Sequence, residues 1–353
     1  MSTFVLFRAD GGSTYSMAMG HLFRSVRLAG VLSEKGVNCL FVMKNFPEGV
    51  KYVTDSGFKV NLMAPDISEA EEVLYVVSLA RQLGALLYID IRFSIKRLIE
   101  AANNENIPTV VYEDVCDENI QPSVLINPSL LAQNKEGYAG RGNTELLLGT
   151  DYLVLDPIVD NYARSAFSSK IKNLFLCFGG ADPCNISNRV LKILLKKGGD
   201  YLITLILGPA FKFHSEIEET IKLMDFSKRV KVISNYRELY SILSRANAAI
   251  TAGGTIAYES VSLNIPTLVL PSIDYEARNM SPLIDAGFID GIKEDIAYVE
   301  DGILEKKIDY FIEDACIRKK LFDKSFSKKL SGGIYKVIEK ICEVQRLHEI
   351  ASN

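Results

Sequence analysis

Short apolar runs alternate with segments of helical periodicity along the whole chain. "FVLFRAD" (4–10), "VNCLFVM" (37–43) and "ALLYIDI" (85–91) have the length of buried strands, and "HLFRSVRLAGVLSEKG" carries apolar residues at helical spacing before Gly36. Two parallel strands need a long crossover between them, which is usually a helix. The rhythm therefore predicts an α/β fold, with mostly parallel sheets covered by helices on both faces.

The strand and helix pattern begins twice, which predicts two domains. A chain of 353 residues is too long for one ordinary core. A polar, glycine-rich stretch at 133–150 is expected to form a surface loop, and a second series of strands begins at "KNLFLCFGGADP". We predict Rossmann-like domains over 1–160 and 161–353, and we assign the amphipathic helical stretch at 302–350 to the second as a packing segment.

Composition argues against several classes of protein. A formal net charge of −4 does not provide the broad basic field of a nucleic-acid binder. The first residues, "MSTFVLFRADGG", lack the pattern of a signal peptide, and no apolar run reaches the length of a membrane span. Six scattered cysteines without a CxxC pair favour reduced thiols over structural zinc. We expect a cytoplasmic protein.

Glycines mark the first junction at which a ligand site is expected. In open α/β sheets, ligands bind at the carboxyl ends of strands, and with two such domains the cleft between them is the expected site. In "RADGGSTYSMAMGHLFR" (8–24), Gly20 opens a helix and His21 lies in its first turn. The helix dipole disfavours a protonated imidazole there, so His21 could accept a proton from water or a hydroxyl. The alternative is a polar residue that only caps the helix.

A second junction, "LFLCFGGADPCNIS" (174–187), ends a strand at Gly179 and Gly180. Asn185 or Ser187 is placed to cap the helix that follows. The sequence lacks the Gly-Lys-Ser/Thr of a Walker loop and the G-x-G-x-x-G of dinucleotide sites. The junction is therefore either a ligand loop of another kind or a simple tight turn.

A third junction, "AAITAGGTIAYES" (248–260), offers the strongest anion site. Gly253 and Gly254 let the backbone approach a ligand closely, and Thr255 starts a helix, so backbone N–H groups would face an anion, ideally a diphosphate. Glu259 lies one turn further on and could accept hydrogen bonds from ribose hydroxyls. A tight strand-to-helix turn is the alternative here as well.

These motifs, in this order, resemble those of known nucleotide-sugar enzymes. "GGTIAYESVSLNIPTLVLP", followed by "EARN" and "PLIDAG", is similar to the nucleotide-binding half of GT-B glycosyltransferases, such as the family of the lipid II-forming N-acetylglucosaminyltransferase. The Arg8–Asp10 start, the Gly20–His21 pair with Arg24, and "CFGGADPCN" resemble the UDP-sugar hydrolase of pseudaminic acid biosynthesis and the related spore-coat polysaccharide proteins.

The resemblance implies a GT-B fold, in which two Rossmann-like domains face each other across a cleft. It implies that His21 activates water against the anomeric carbon of a UDP-linked amino or deoxy sugar, releasing UDP and the free sugar with inversion and without a cofactor. The residues implied for the sugar are Arg8, Asp10, Gly20, Arg24, Asp90 and Asp114, and those implied for the nucleotide are Gly179, Gly180, Gly253, Gly254, Thr255, Glu259 and Asn279.

The sequence departs from the hydrolase pattern at three places, the smallest of which is Ala18 in place of the first glycine of Gly-x-Gly-His. Glu276 stands where the later loop usually has glutamine, and because a carboxylate repels a diphosphate we expect it to point at sugar hydroxyls or away. "IDIRFS", with Asp90 and Arg92, replaces Asp-His-Tyr.

Three alternative functions remain: a glycosyltransferase that uses a hydroxyl acceptor in surface polysaccharide synthesis, an epimerase, and a non-catalytic nucleotide-sugar sensor. The sequence contains no Asp-x-Asp pair that would suggest a diphosphate held through a metal ion. We therefore predict that activity survives in EDTA.

Overall fold

The structure is a computed structural model that describes residues 4–12, 19–112, 119–130, 132, 138, 142–223, 228–234, 238–328 and 330–352. These residues divide into two units. The first contains residues 4–12, 19–156 and 332–352, and the second contains residues 157–331.

The first unit is built on a parallel sheet. Its strands are β1 (Phe4–Ala9), β2 (Asn38–Lys44), β3 (Lys59–Met63), β4 (Leu86–Asp90), β5 (Thr109–Tyr112), β6 (Val124–Asn127) and β7 (Glu145–Leu148), and its crossover helices include α1 (Gly20–Glu34), α2 (Pro47–Asp55), α3 (Glu69–Leu83) and α4 (Lys96–Asn104). The strand order is β3-β2-β1-β4-β5-β6-β7. Strands β1, β4, β5 and β6 are almost entirely buried because helices cover both faces of the sheet.

Local signals explain where these helices begin and end. Ser68 and Glu71 form a capping box at the start of α3, and Gly84 ends that helix in the left-handed conformation at φ 56°. The sequence predicts α3 over the same residues, 69–83, because both signals are visible in it.

The strand order reverses between β1 and β4, which places their carboxyl ends side by side at the usual ligand position of such sheets. Arg8 pairs in register with Ile89, and Ala9 pairs with Asp90. Because successive side chains of a strand alternate between faces, Arg8 and Asp90 point to opposite faces of the sheet. Ala9 belongs to the core under α1, whereas Ile89 belongs to the core under α3 and α4.

The predicted surface loop at 133–150 is wrong for its last part. Residues Glu145–Leu148 form β7, which pairs in parallel with β6 at the edge of the sheet. The four-residue strand lies beside a polar, glycine-rich stretch, and its pattern is too short to show helical or strand periodicity. Leu147 is buried in the core, and this burial explains why the segment joins the sheet.

The second unit is built on a parallel sheet in the order β10-β9-β8-β11-β12-β13. Its strands are β8 (Asn173–Cys177), β9 (Leu202–Ile206), β10 (Val230–Ile233), β11 (Ala248–Thr251), β12 (Thr267–Val269) and β13 (Asp290–Gly291), and its helices include α5 (Ile186–Lys197), α6 (His214–Leu223), α7 (Leu239–Leu243), α8 (Thr255–Ser262), α9 (Asp274–Asp285), α10 (Asp301–Glu313) and α11 (Ala315–Ser327). The order reverses between β8 and β11, so the turns at 179–180 and 253–254 follow neighbouring strands.

The last helix, α12 (Gly333–Ser352), is part of the first unit. This corrects the assignment of the whole stretch 302–350 to the second domain. Ile334, Val337 and Ile338 are buried in the core beneath α1, and Gln345 Nε2 donates to the carbonyl oxygen of Phe4 at 3.1 Å. Among the described helices, α12 included, none is both long and apolar enough to cross a membrane.

Candidate functional site

A buried aspartate contacts the predicted base. His21 Nδ1 lies 2.7 Å from Asp90 Oδ1. Asp90 is the last residue of β4 and has no solvent exposure, whereas the His21 side chain keeps 16% of its surface exposed. The carboxylate therefore holds one nitrogen of the ring from inside the fold, and part of the imidazole remains open to solvent.

Arg24 completes this group of side chains, one turn after His21 on α1. It donates from Nε to Asp90 Oδ2 at 2.6 Å and from Nη2 to Asp90 Oδ1 at 2.7 Å. The guanidinium lies 4.5 Å from the centre of the Tyr112 ring, and Arg24 Nη2 is 2.8 Å from His21 Nδ1. This bidentate contact neutralises the buried carboxylate and fixes its orientation.

The arrangement can set which ring nitrogen of His21 carries a proton. Two contacts at Nδ1 require different tautomers: an ionised carboxylate only accepts, so Asp90 can hold a proton on Nδ1, whereas Arg24 Nη2 only donates and needs Nδ1 to accept. In the tautomer with the proton on Nδ1, Nε2 has a lone pair that can take a proton. The same logic applies to any histidine base whose second nitrogen is held by a carboxylate.

The structure places Arg8 and Asp10 in a different group, on the other side of the sheet from Asp90. Arg8 donates to Glu72 Oε1 at 2.8 Å and to Asp10 Oδ2 at 2.7 Å, and Asp10 Oδ1 accepts the N–H of Lys44 at 2.8 Å. Burial acts to lower the pKa of Arg8, but the Asp10 and Glu72 carboxylates outweigh it and the pKa is raised. The arginine is a fixed cation.

Gly20 and Asp114 are the remaining residues predicted to bind the sugar. Gly20 is the first residue of α1, directly before His21. Asp114 lies outside the described residues. The structure thus brings together His21, Gly20, Arg24 and Asp90 as one group, and Arg8 with Asp10 as another.

In the second unit, the third glycine junction is engaged by Glu276. Gly254 and Thr255 lie at the start of α8, as predicted. The Glu276 carboxylate accepts the N–H of Gly253 at 3.2 Å, and the N–H and hydroxyl of Ser272, both at 2.8 Å. The Glu276 carboxylate therefore accepts hydrogen bonds from donors of this junction, because its position on α9 points the side chain back at the turn.

Gly253 is required by this packing. A Cβ at that position would lie 2.7 Å from Glu276 Cβ on α9, closer than real Cβ atoms come, and in tight contact at 3.0 Å with Met280 Cγ on the same helix. Gly254 has room, since the nearest atom to its Cβ would be Glu276 Oε1 at 3.8 Å. The lack of a side chain at Gly253 lets α9 pack closely against the turn, and the lack of one at Gly254 leaves the backbone there open.

Glu259 and Asn279 lie on the helices that follow. Glu259 is only 2% exposed, and its Oε1 accepts the hydroxyl of Tyr240 at 2.8 Å. Asn279 is a buried residue of α9, which begins at Asp274 after the extended residue Ile273.

The second junction is capped by a residue that sequence reasoning missed. Asp182, not Asn185 or Ser187, accepts the N–H groups of Ile186 and Ser187, both at 2.8 Å. Burial raises the pKa of Asp182. An aspartate four residues before the helix start, next to Pro183, is the signal that could have found it. Gly179 and Gly180 form the turn directly after β8, with Gly179 in the left-handed region at φ 83°.

Within the described residues, no group of three or more histidine, cysteine, aspartate and glutamate side chains is arranged to hold a metal ion.

Comparison with known proteins gives two curated relatives. No protein-family profile matches the chain. The chain is 25% identical over 303 residues to the uncharacterized protein MJ1062 of Methanocaldococcus jannaschii, covering 79% of this chain and 61% of that protein's length. It is 25% identical over 284 residues to the spore coat polysaccharide biosynthesis protein SpsG of Bacillus subtilis, covering 79% of this chain and 80% of SpsG.

Solved structures extend the likeness to nearly the whole chain. MurG of Acinetobacter baumannii matches with a TM-score of 0.67 at 13% identity, over 97% of this chain and 99% of that one. The UDP-GlcNAc 2-epimerase of Neisseria meningitidis, bound to UDP-GlcNAc, matches with a TM-score of 0.63 at 13% identity, over 97% of this chain and all of the other. The fold is GT-B. This confirms the predicted fold class, with its two Rossmann-like sheets.

Proposed function

We propose that this protein is a nucleotide-sugar hydrolase that cleaves the anomeric C–O bond of a UDP-linked amino or deoxy sugar. His21 Nε2 takes a proton from water, and the water oxygen bonds to the anomeric carbon. The bond from that carbon to the diphosphate oxygen breaks, and its electron pair leaves with UDP. Attack opposite the leaving group inverts the anomeric configuration.

The contact between His21 and Asp90 carries this proposal. A general base needs a free lone pair at one nitrogen and a fixed ring, and a buried carboxylate at 2.7 Å from Nδ1 is suited to provide both. Arg24 holds that carboxylate in place with two hydrogen bonds. A histidine that merely caps a helix would not need a fully buried acidic partner.

The nucleotide part rests on fold and local geometry. The epimerase with this fold is bound to UDP-GlcNAc, which supports a UDP-sugar as the ligand class. The start of α8, at Gly254 and Thr255, offers backbone N–H groups and the positive end of a helix to a diphosphate. We assign Gly179, Gly180, Gly253, Glu259 and Asn279 to the same nucleotide.

Glycosyl transfer is the second candidate, and the likeness to SpsG, a polysaccharide biosynthesis protein, favours it. In that reaction a sugar hydroxyl replaces water as the group that His21 deprotonates. Incubation with UDP-sugars in the absence of an acceptor separates the two. Release of UDP with a free reducing sugar supports hydrolysis, and release only after an acceptor is added supports transfer.

The test is a screen of UDP-, CMP-, GDP- and dTDP-sugars for nucleotide release, followed by NMR of the product anomer. The hydrolase proposal expects release from a UDP-sugar and an inverted free sugar. Interconversion of sugars without release would indicate an epimerase. Tight UDP binding without turnover on any sugar would indicate a nucleotide-sugar sensor, and either result overturns the proposal.

A further inference from the structure

The first unit contains a cavity that neither His21 nor Asp90 lines, although Arg8, one of the residues expected to bind the sugar, does. It measures about 520 Å³ and lies at the carboxyl edge of the sheet, between the first turns of α3 and α4. It is on the face of the sheet to which Arg8 points, the face opposite Asp90. Its lining includes Arg8, Lys44, Glu72, Phe93, Ser94 and Lys96.

Arg8 lines this cavity and leaves one of its donor groups without an acceptor. The residue is 1% exposed, and its Nε and Nη2 atoms are bound by Glu72 and Asp10. Its remaining nitrogen, Nη1, is buried and has no hydrogen-bonding partner among the described residues. Buried donors of charged groups almost always have a hydrogen-bond acceptor, because a buried donor without one destabilises the folded state. An acceptor from outside the protein would complete the arginine.

The first turn of α4 presents further donors to the same space. Lys96, Arg97 and Leu98 are the first three residues of this nine-residue helix, and all three line the cavity. Ile95 at the N-cap position offers no side-chain cap for their backbone N–H groups. The positive end of the helix dipole therefore adds to the donors of Arg8.

The charges on the lining leave a surplus of cations. Glu69 and Glu72 are its two carboxylates. Lys96 forms no ion pair with any residue in the described ranges and is exposed at the mouth of the cavity. Three other cations are paired with those carboxylates, namely Arg8, Lys44 and Arg97.

We propose that this cavity binds the oxyanion of a small molecule, either a carboxylate or a phosphate group. Arg8 Nη1 and the first N–H groups of α4 would bind its oxygens, and Lys96 would neutralise it from the rim. Ile91 and Phe93, on the same lining, suit an attached ring or chain. The inference goes beyond the proposed hydrolysis, because it involves neither His21 nor the nucleotide.

The test uses the full chain and three probes: inorganic phosphate, glucuronate, and glucose as the neutral ring of the same shape. Phosphorus NMR line broadening reports phosphate binding, and saturation-transfer NMR reports the sugars. We expect phosphate or glucuronate to bind and glucose not to bind. K96Q should weaken binding about two- to fivefold, as expected for one exposed charge pair, whereas K35Q, an exposed lysine at the end of α1, should leave it unchanged.

R8K tests the buried donor, because lysine keeps the charge and loses Nη1. It should weaken binding by about tenfold or more, with thermal unfolding checked first. If R8K does not fold, K96Q against K35Q decides. Preference for glucuronate identifies an acidic sugar or similar carboxylate, and preference for phosphate identifies a phosphorylated ligand. No binding of either anion, equal binding of glucose, or equal effects of K96Q and K35Q overturns the proposal.

Because the probes contain no nucleotide, this result is independent of UDP-sugar turnover. Loss of turnover in H21A with intact phosphate binding would leave the oxyanion site standing, and the reverse outcome would leave the hydrolase proposal standing.

Discussion

Replacing Asp90 with asparagine should affect stability and turnover through different contacts. The substitution keeps the shape of the side chain but removes its charge, and it turns one of the two oxygens that accept from Arg24 and His21 into a donor. Removing one partner of a buried ion pair costs about 3–5 kcal/mol of unfolding free energy. For a domain of this size each 1 kcal/mol lowers Tm by about 2–4 °C, so D90N should unfold about 6–20 °C lower.

Turnover should fall further than folding explains. Without the carboxylate the His21 ring loses its orientation and its preferred tautomer, so the rate per folded molecule should drop about 10²–10⁴-fold. The assay is UDP release from the best UDP-sugar of the screen, measured at a temperature at which D90N is folded. Circular dichroism melting gives the folded fraction for the correction.

A double-mutant cycle supplies the refutation. If Asp90 acts through His21, then adding D90N to H21A should cost little further activity, because the two residues form one unit. D90N with near-normal turnover per folded molecule, or strictly additive losses in the double variant, would show that the pair is structural and that the base lies elsewhere.

Three other perturbations test the second unit and the thiols. G253A should lower the free energy of unfolding by about 1–3 kcal/mol, because its Cβ would lie 2.7 Å from Glu276 Cβ; thermal melting checks this, and G254A, which has room, is the matched control. E276Q keeps an acceptor for the Gly253 N–H but removes a negative charge beside the proposed diphosphate, so calorimetry should show UDP binding about tenfold tighter; unchanged affinity would place the diphosphate away from this turn. Burial raises the pKa of Cys39 to about 11, so peptide mass spectrometry at pH 8 should find it alkylated far more slowly than exposed Cys316, with its rate rising about tenfold per pH unit toward pH 11; equal rates at pH 8 would contradict this.

The fold was largely predictable because its signals are local. The limits of α5 at 186–197 and of α3 at 69–83 follow from apolar spacing and end signals within each segment. The edge strand at 145–148 was not predictable, because four residues beside a glycine-rich stretch carry too little pattern. The place of α12 was hidden for another reason: an amphipathic helix shows which of its faces is buried, but not which sheet buries it.

The sequence singled out His21, Arg24 and Asp90 one by one, but it did not show that they contact one another. His21 and Asp90 are 69 positions apart, and only the neighbouring positions of β1 and β4 bring them together. The reversal of strand order could have suggested the contact, since doubly wound sheets place those two strand ends side by side. The contacts of Glu276 could not be foreseen, because they depend on how the first turn of α9 packs against the turn at Gly253.

The route of the chain through the first unit has a consequence for its biosynthesis. The buried face of α12 closes the core beneath α1, yet residues 157–331 of the second unit are translated in between. While that middle segment is synthesised and folds, the apolar groove of the earlier sheet remains uncovered. Such a nascent intermediate is open to aggregation and is a natural client for chaperones that shield hydrophobic surface.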